Sequence, residues 1–123
     1  MTRRVLVVDD EQDIREIVSM SLETWRGWEV TCVASGAEAV ERVRAMRPDV
    51  VLLDVMMPGQ DGPDTLAALR ADPETRDVPV VFLTAKMADR SRFVAMGAAG
   101  VLPKPFDPMR LGDQLAEILG WSS

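Results

Sequence analysis

Short apolar runs alternate with amphipathic segments along the whole chain. The β-branched runs are typical of strands, and the segments between them repeat apolar residues at helical spacing. Strands are predicted at residues 4–9, 29–34, 49–54, 78–84 and 100–102. Helices are predicted at about residues 11–25, 35–46, 63–71, 88–96 and 107–120. This succession of strand–helix units predicts an α/β fold, a doubly wound parallel sheet flanked by helices.

Local signals define several of the predicted helix ends. Ser35 and Glu38 form the Ser-x-x-Glu pattern of a capping box at the start of the second helix. Asp107, followed by Pro108, is expected to cap the last helix. On the first helix, apolar residues at helical spacing predict a buried face that ends with Trp25.

The third predicted strand differs from the others in having an unbroken apolar run at residues 50–53. Both faces of this strand are therefore expected to be buried at the centre of the sheet. Ligands bind at the carboxyl ends of the strands in such sheets, so polar residues at those ends are predicted to share one pocket. The residues at these positions are Asp9, Asp10, Asp54, Thr84 and Lys104.

Three acids in one pocket require protonation or a cation. Two carboxylates about 4 Å apart repel each other by roughly 4 kcal/mol at an effective dielectric constant of about 20. Hard oxygen ligands favour Mg²⁺ as the neutralising ion. Asp54, at the end of the best-shielded strand, fits the role of a nucleophile toward phosphorus. Lys104 and Thr84 could bind oxygens on which negative charge accumulates during phosphoryl transfer.

Composition and charge narrow the functional classes. A chain of 123 residues, nearly half of them apolar, fits one folded domain spanning residues 1–123. The formal net charge of −6 and the pI of 4.6 argue against direct nucleic-acid binding, which needs a basic surface. The single cysteine, Cys32, is compatible with a reducing compartment. Because no apolar run approaches the length of a membrane span, a cytoplasmic protein without membrane contact is expected.

Taken together, these residues resemble the receiver domain of bacterial two-component response regulators. The resemblance extends from residue 4 to about residue 119 and points to a stand-alone receiver of the chemotaxis type. It implies a flavodoxin-like sheet with strand order 2-1-3-4-5 and five helices. The matching motifs are Asp9-Asp10, Asp54 within the segment LLDVMMPGQDG, Thr84-Ala85 and Lys104-Pro105-Phe106.

The resemblance implies that Asp54 accepts a phosphoryl group from a histidine kinase or a phosphotransfer protein. Thr84 and Lys104 would assist this transfer, with the lysine placed in the pocket by a cis peptide bond before Pro105. Such a domain is a phosphoacceptor that assists its own phosphorylation and dephosphorylation, and it is not otherwise an enzyme.

The family's metal site is also implied by the resemblance. Mg²⁺ would be held by Asp10, Asp54 and the main-chain carbonyl of Met56, and Asp9 would act largely through water. The bulky side chain of Met56 suggests some shielding of the pocket.

The output surface implied by the resemblance is the face formed by helix 4, strand 5 and helix 5, where a downstream protein would dock. Receivers usually carry an aromatic residue three positions before the lysine, and its ring turns inward on activation. Here that position is Val101, so signalling is expected to depend on Thr84 and the backbone near residues 86–90.

Several alternatives differ in class from a phosphorylatable receiver. A phosphatase with a strand-end aspartate nucleophile needs a second acid two residues later, where this chain has Met56. A nucleotide- or flavin-binding domain would have a glycine- or hydroxyl-rich phosphate loop after the first strand, where this chain has DDEQD. The chain could also be a degenerate, constitutively binding adaptor, or the N-terminal receiver of a longer regulator.

Overall fold

The computed structural model describes residues 2–121, which form one parallel five-stranded sheet with helices on both faces. The strand order is β2-β1-β3-β4-β5, so the predicted doubly wound α/β fold is confirmed. The predicted strand ends agree with the observed ones within two residues. The strands are β1 Arg4–Val8, β2 Glu29–Val33, β3 Val50–Asp54, β4 Val80–Thr84 and β5 Gly100–Pro103.

Five α-helices connect and follow the strands. None of the helices within residues 2–121 combines the length and apolar character needed to cross a bilayer. A 3₁₀ turn at Met87–Asp89 precedes the fourth helix. The helices are α1 Gln12–Arg26, α2 Gly36–Met46, α3 Gly62–Ala71, α4 Arg90–Ala95 and α5 Leu111–Leu119.

Two predicted helices are shorter than expected. The segment predicted as one helix at 88–96 is divided between the 3₁₀ turn and α4. The last helix begins at Leu111, so the expectation that Asp107 caps it is wrong. The Asp107 side chain accepts a hydrogen bond from the Met109 N–H at 2.9 Å, and its carbonyl accepts one from Arg110 at 3.0 Å. Asp107 and Pro108 therefore form a separate turn, for which proline is also well suited.

The sheet separates two apolar layers. Alternate strand residues face α2, α3 and α4 on one side, and α1 and α5 on the other. All five residues of β3 are buried, which matches the prediction of a central strand covered on both faces. Burial of these aliphatic side chains supplies the main favourable contribution to folding.

Trp25 does not belong to the buried face of α1, contrary to the sequence prediction. Its side chain is 58% exposed, whereas Leu22, one turn earlier, is fully buried. After α1 the chain turns back at Gly27, and the Trp28 N–H donates to the Leu22 carbonyl. Trp28 then fills the apolar space at this end of the sheet, with its ring edge-on to that of Trp121 at a centroid distance of 5.3 Å.

Gly62 fixes the path of the chain between β3 and α3. Its N–H donates to the Val55 carbonyl at 2.9 Å, which closes the loop that follows Asp54. A Cβ atom at residue 62 would lie 2.6 Å from the Asp54 carbonyl oxygen and 2.9 Å from Cε1 of Phe82. A side chain at this position would therefore push α3 away from the end of β3.

We expect Gly62→Ala to lower the free energy of unfolding by about 1–3 kcal/mol, since one added methyl group overpacks this junction. Urea denaturation monitored by circular dichroism measures the loss. Ala67→Ser adds one atom to the exposed side of the same helix and should change stability by less than about 0.5 kcal/mol. Equal stability of Gly62→Ala and wild type would contradict the close approach.

Candidate functional site

A lysine and two aspartates meet at the carboxyl edge of the sheet. Asp9 follows β1, Asp54 ends the adjacent strand β3, and Lys104 follows β5. The Lys104 Nζ atom lies 2.8 Å from Asp9 Oδ2 and 3.1 Å from Asp54 Oδ1. One ammonium group therefore bridges two carboxylates that are far apart in sequence. The peptide bond between Lys104 and Pro105 is cis.

Asp9 and Asp10 have different environments although they are adjacent in sequence. Asp9 is fully buried, and its second carboxylate oxygen accepts a hydrogen bond from the Glu11 N–H at 2.9 Å. Asp10 is exposed to solvent. Ligand oxygens of Asp9, Asp10 and Asp54 all lie within 4.8 Å of one another. This set of carboxylates has the chemistry to hold a hard divalent cation such as Mg²⁺.

Thr84 is connected to both the site and the next helix. Its carbonyl accepts a hydrogen bond from the Lys104 N–H at 2.8 Å, which ties the ends of β4 and β5 together. Its Oγ1 atom accepts a hydrogen bond from the Lys86 N–H at 3.0 Å. The hydroxyl therefore stabilises the segment that leads into α4, while its own proton is available for an acceptor in the pocket.

Met56 contributes through its backbone. A hydrogen bond from the Met56 backbone reaches the Asp54 carboxylate. Its side chain is 79% exposed, and the partial shielding of the pocket suggested for it stays a prediction. The neighbouring Met57 is buried and anchors the loop in the core.

Burial and charge act in opposite directions on the two bridged groups. Burial, reinforced by the nearby charge of Asp9, raises the pKa of Asp54 even though Lys104 and the Met56 backbone favour the ionised form. Burial alone would lower the pKa of Lys104, but its bonds to both carboxylates outweigh this effect, and that pKa is raised. The lysine is therefore held as an ammonium ion, and the three carboxylates still exceed it in charge.

Arg15 contacts the backbone of a site residue, which the sequence analysis did not predict. Its Nη1 atom donates to the Asp9 carbonyl at 2.8 Å, from the first turn of α1. A basic residue in that turn is unusual, because the helix dipole there favours acids. That conflict is the one signal in the sequence that could have identified it.

A family model described as "Response regulator receiver domain" matches residues 5–116. The chemotaxis protein CheY4 of Vibrio cholerae has a similar structure, with a TM-score of 0.87 and 34% sequence identity. That match covers 96% of this chain and 99% of CheY4.

Curated relatives include transcriptional regulators. The chain is 45% identical over 104 residues to "Probable transcriptional regulatory protein TcrX" of Mycobacterium tuberculosis, covering 83% of this chain and 43% of that protein. It is 40% identical over 113 residues to "DNA-binding response regulator MtrA" of Mycobacterium leprae, and this match covers 90% of this chain and 48% of MtrA. The chain thus spans about half the length of the curated relatives it matches.

The raised pKa of Asp54 gives an expected pH dependence. The folded protein holds the Asp54 proton more tightly than the unfolded chain, so this contribution to stability is complete below the ordinary pKa of 3.8. It is lost as pH rises through the folded-state pKa. Asp54→Asn, a neutral isostere, should therefore melt at a higher temperature than wild type at neutral pH without metal. This advantage should shrink as the pH approaches 3.8.

Thermal melts in a chelator across this pH range measure the difference. Glu41→Gln, an exposed substitution in the middle of α2, is the matched control and should show a much smaller difference at every pH. A lower melting temperature for Asp54→Asn at neutral pH would mean that the bond to Lys104 outweighs burial and the charge of Asp9.

Proposed function

The chain belongs to the response regulator receiver domains of two-component systems, and we propose that its Asp54 accepts a phosphoryl group from a histidine kinase or a phosphotransfer protein. The observation that supports this proposal is the bridge from Lys104 to Asp9 and Asp54 at the carboxyl edge of the sheet. The carboxylate of Asp54, which we propose as the nucleophile, thus lies beside the Lys104 ammonium and close to the oxygens of Asp9 and Asp10.

Each residue has a defined part in the proposed transfer. An oxygen of ionised Asp54 attacks the phosphorus atom of a phosphohistidine, and an acyl phosphate forms as the phosphorus–nitrogen bond breaks. The electron pair of that bond stays with the imidazole. Lys104 keeps its contact with Asp9 and turns toward a phosphoryl oxygen. The hydroxyl of Thr84 donates to a second oxygen, since the charge on all three must be stabilised.

The acidic cluster fits a magnesium site. We propose that Asp10, Asp54 and the main-chain carbonyl of Met56 hold Mg²⁺, with Asp9 acting largely through water. When bound, the ion neutralises the excess carboxylate charge and stabilises the transferring phosphoryl oxygens. Asp9 remains fully buried beside Lys104, and its bond to the Glu11 N–H keeps it oriented.

Thr84 connects the proposed phosphorylation to an output surface. If its hydroxyl moves to donate to the phosphoryl group, the bond from the Lys86 N–H weakens, and the segment before α4 is free to rearrange. A groove of about 530 Å³ lies on the face formed by α4, β5 and α5, lined in part by Met87, Arg90 and Val101. We propose that a downstream protein docks on this face.

The partners proposed are proteins. The name of MtrA describes DNA binding by that protein, which is about twice as long as this chain. The net charge of −6 disfavours nucleic-acid binding by this chain itself, so any effect on DNA would require a protein partner or a further domain. A constitutively binding adaptor is the second candidate. It predicts the same docking with no requirement for phosphorylation.

The first test is direct phosphorylation. In the presence of Mg²⁺ and acetyl phosphate, the wild-type protein should gain the mass of one phosphoryl group, and Asp54→Ala should gain none. Asp64→Ala, which removes an exposed acid of α3, should react as wild type does. Intact-protein mass spectrometry gives the result. An undiminished adduct on Asp54→Ala would exclude Asp54 as the acceptor.

The second test measures Mg²⁺ binding independently of phosphoryl transfer. Asp10→Ala removes one negative charge from the cluster, so the metal-free protein should melt at a higher temperature than wild type. The same change removes a ligand, so the rise in melting temperature on adding Mg²⁺ should be smaller. Differential scanning calorimetry with and without Mg²⁺ measures both. An unchanged response to Mg²⁺ would place the ion elsewhere.

A further inference from the structure

Arg70, near the end of α3, joins two loops on the face of the sheet that carries α4. Its Nη1 atom donates to the carbonyls of Arg76 at 2.9 Å and Val78 at 2.8 Å, which precede β4. Its Nη2 atom donates to the carbonyl of Gly97 at 3.0 Å, just after α4. A guanidinium is suited to this task because its donors are fixed in one plane.

The backbone at Gly97 is shaped for this contact. Gly97 has a φ of +109°, which side-chain-bearing residues rarely adopt. A Cβ atom there would lie 3.3 Å from Arg70 Nε. The next two N–H groups also donate hydrogen bonds. The Ala98 N–H donates to the Phe93 carbonyl at 3.1 Å, and the Ala99 N–H donates to the Val80 carbonyl at 2.7 Å. The C-terminal end of α4 is thus held by several bonds.

The other end of α4 is held much less firmly. Of the six residues of α4, all described, Phe93 is the one that is buried, and it packs on Phe82 at a centroid distance of 4.8 Å. The preceding 3₁₀ turn at Met87–Asp89 has no buried residue and no side-chain cap among its described residues. Its connection to the site is the bond from the Lys86 N–H to Thr84 Oγ1.

We propose that Arg70 is a positioning residue that fixes the C-terminal end of α4, so that phosphorylation of Asp54 moves mainly the N-terminal end of this helix. This inference rests on the proposed function, because it states which end of α4 moves when Asp54 is phosphorylated. Arg70 would thereby determine which part of the output face changes shape.

Three variants test the role of Arg70. Arg70→Met removes the donors, and Arg70→Lys keeps the charge but replaces the planar fork with a single ammonium. Arg42→Met removes an exposed arginine of α2 and is the matched control. The first measurement is amide hydrogen exchange without phosphoryl mimic. We expect exchange at residues 97–99 to increase at least tenfold in Arg70→Met, less in Arg70→Lys, and not in Arg42→Met.

The second measurement follows amide chemical shifts on adding Mg²⁺ and beryllofluoride, a mimic of the phosphoryl group. In wild type the changes should be largest at residues 84–90 and fade toward residue 97. In Arg70→Met they should extend through residues 97–99, while phosphorylation by acetyl phosphate stays within twofold of wild type. Arg70→Lys should show an intermediate profile.

The possible outcomes distinguish a failure of the Arg70 proposal from a failure of the proposed phosphorylation of Asp54. If Arg70→Met melts at a lower temperature but keeps the wild-type exchange at residues 97–99 and the wild-type shift profile, Arg70 is only structural and the proposal is wrong. If Arg70→Met does not fold, the same comparison in Arg70→Lys decides. If wild type is not phosphorylated at Asp54, the proposed function fails, whereas increased exchange at residues 97–99 would still support the anchor itself.

Discussion

The site depends on one electrostatic constraint. A single ammonium group lies among three carboxylates, so its one positive charge cannot neutralise the cluster. Lys104 contacts Asp9 and Asp54, while Asp10 lies in the same cluster. Carboxylates about 4 Å apart repel by roughly 4 kcal/mol at an effective dielectric constant of about 20. The fold therefore stores an unfavourable interaction that a cation relieves. That excess charge makes the cluster suitable for a metal and, with the metal bound, for a phosphoryl group.

The apolar sheet is what makes such an arrangement tolerable. β3 is buried along its whole length, and its register with β1 and β4 places the strand ends side by side. Because side chains alternate between faces, a slip of one residue in β3 would exchange its two buried faces and move Asp54 out of the cluster. Aliphatic burial on both faces prevents such a slip. Gly62 adds a second restraint by bringing the start of α3 against the Asp54 carbonyl. The chemistry is thus positioned by residues that have no chemical function.

Strand positions and the clustering of the acids with the lysine could be predicted from sequence, because both follow from long-range patterns of burial and polarity. Features that depend on local competition could not. Asp107 and Pro108 suit a helix start and a turn equally well, and the turn prevails. Trp25 has helical spacing with Leu22, but Trp28 occupies the buried space instead. The contact of Arg15 is hard to predict because it is made to a main-chain carbonyl, which no side-chain motif records, and a basic residue in the first turn of α1 is the one hint.

The absence of an aromatic ring at position 101 restricts how the site can communicate with the proposed output face. Val101 is 4% exposed, and its short branched side chain has no ring that could turn between two positions. Two hydrogen bonds to Thr84 connect the site to the neighbouring segments. Thr84 accepts from the Lys104 N–H through its carbonyl and from the Lys86 N–H through its hydroxyl. A ligand that attracts that hydroxyl would leave the β4–β5 connection intact and weaken the connection to α4. The response would then fall mainly on the N-terminal end of α4, because β5 stays bonded to β4.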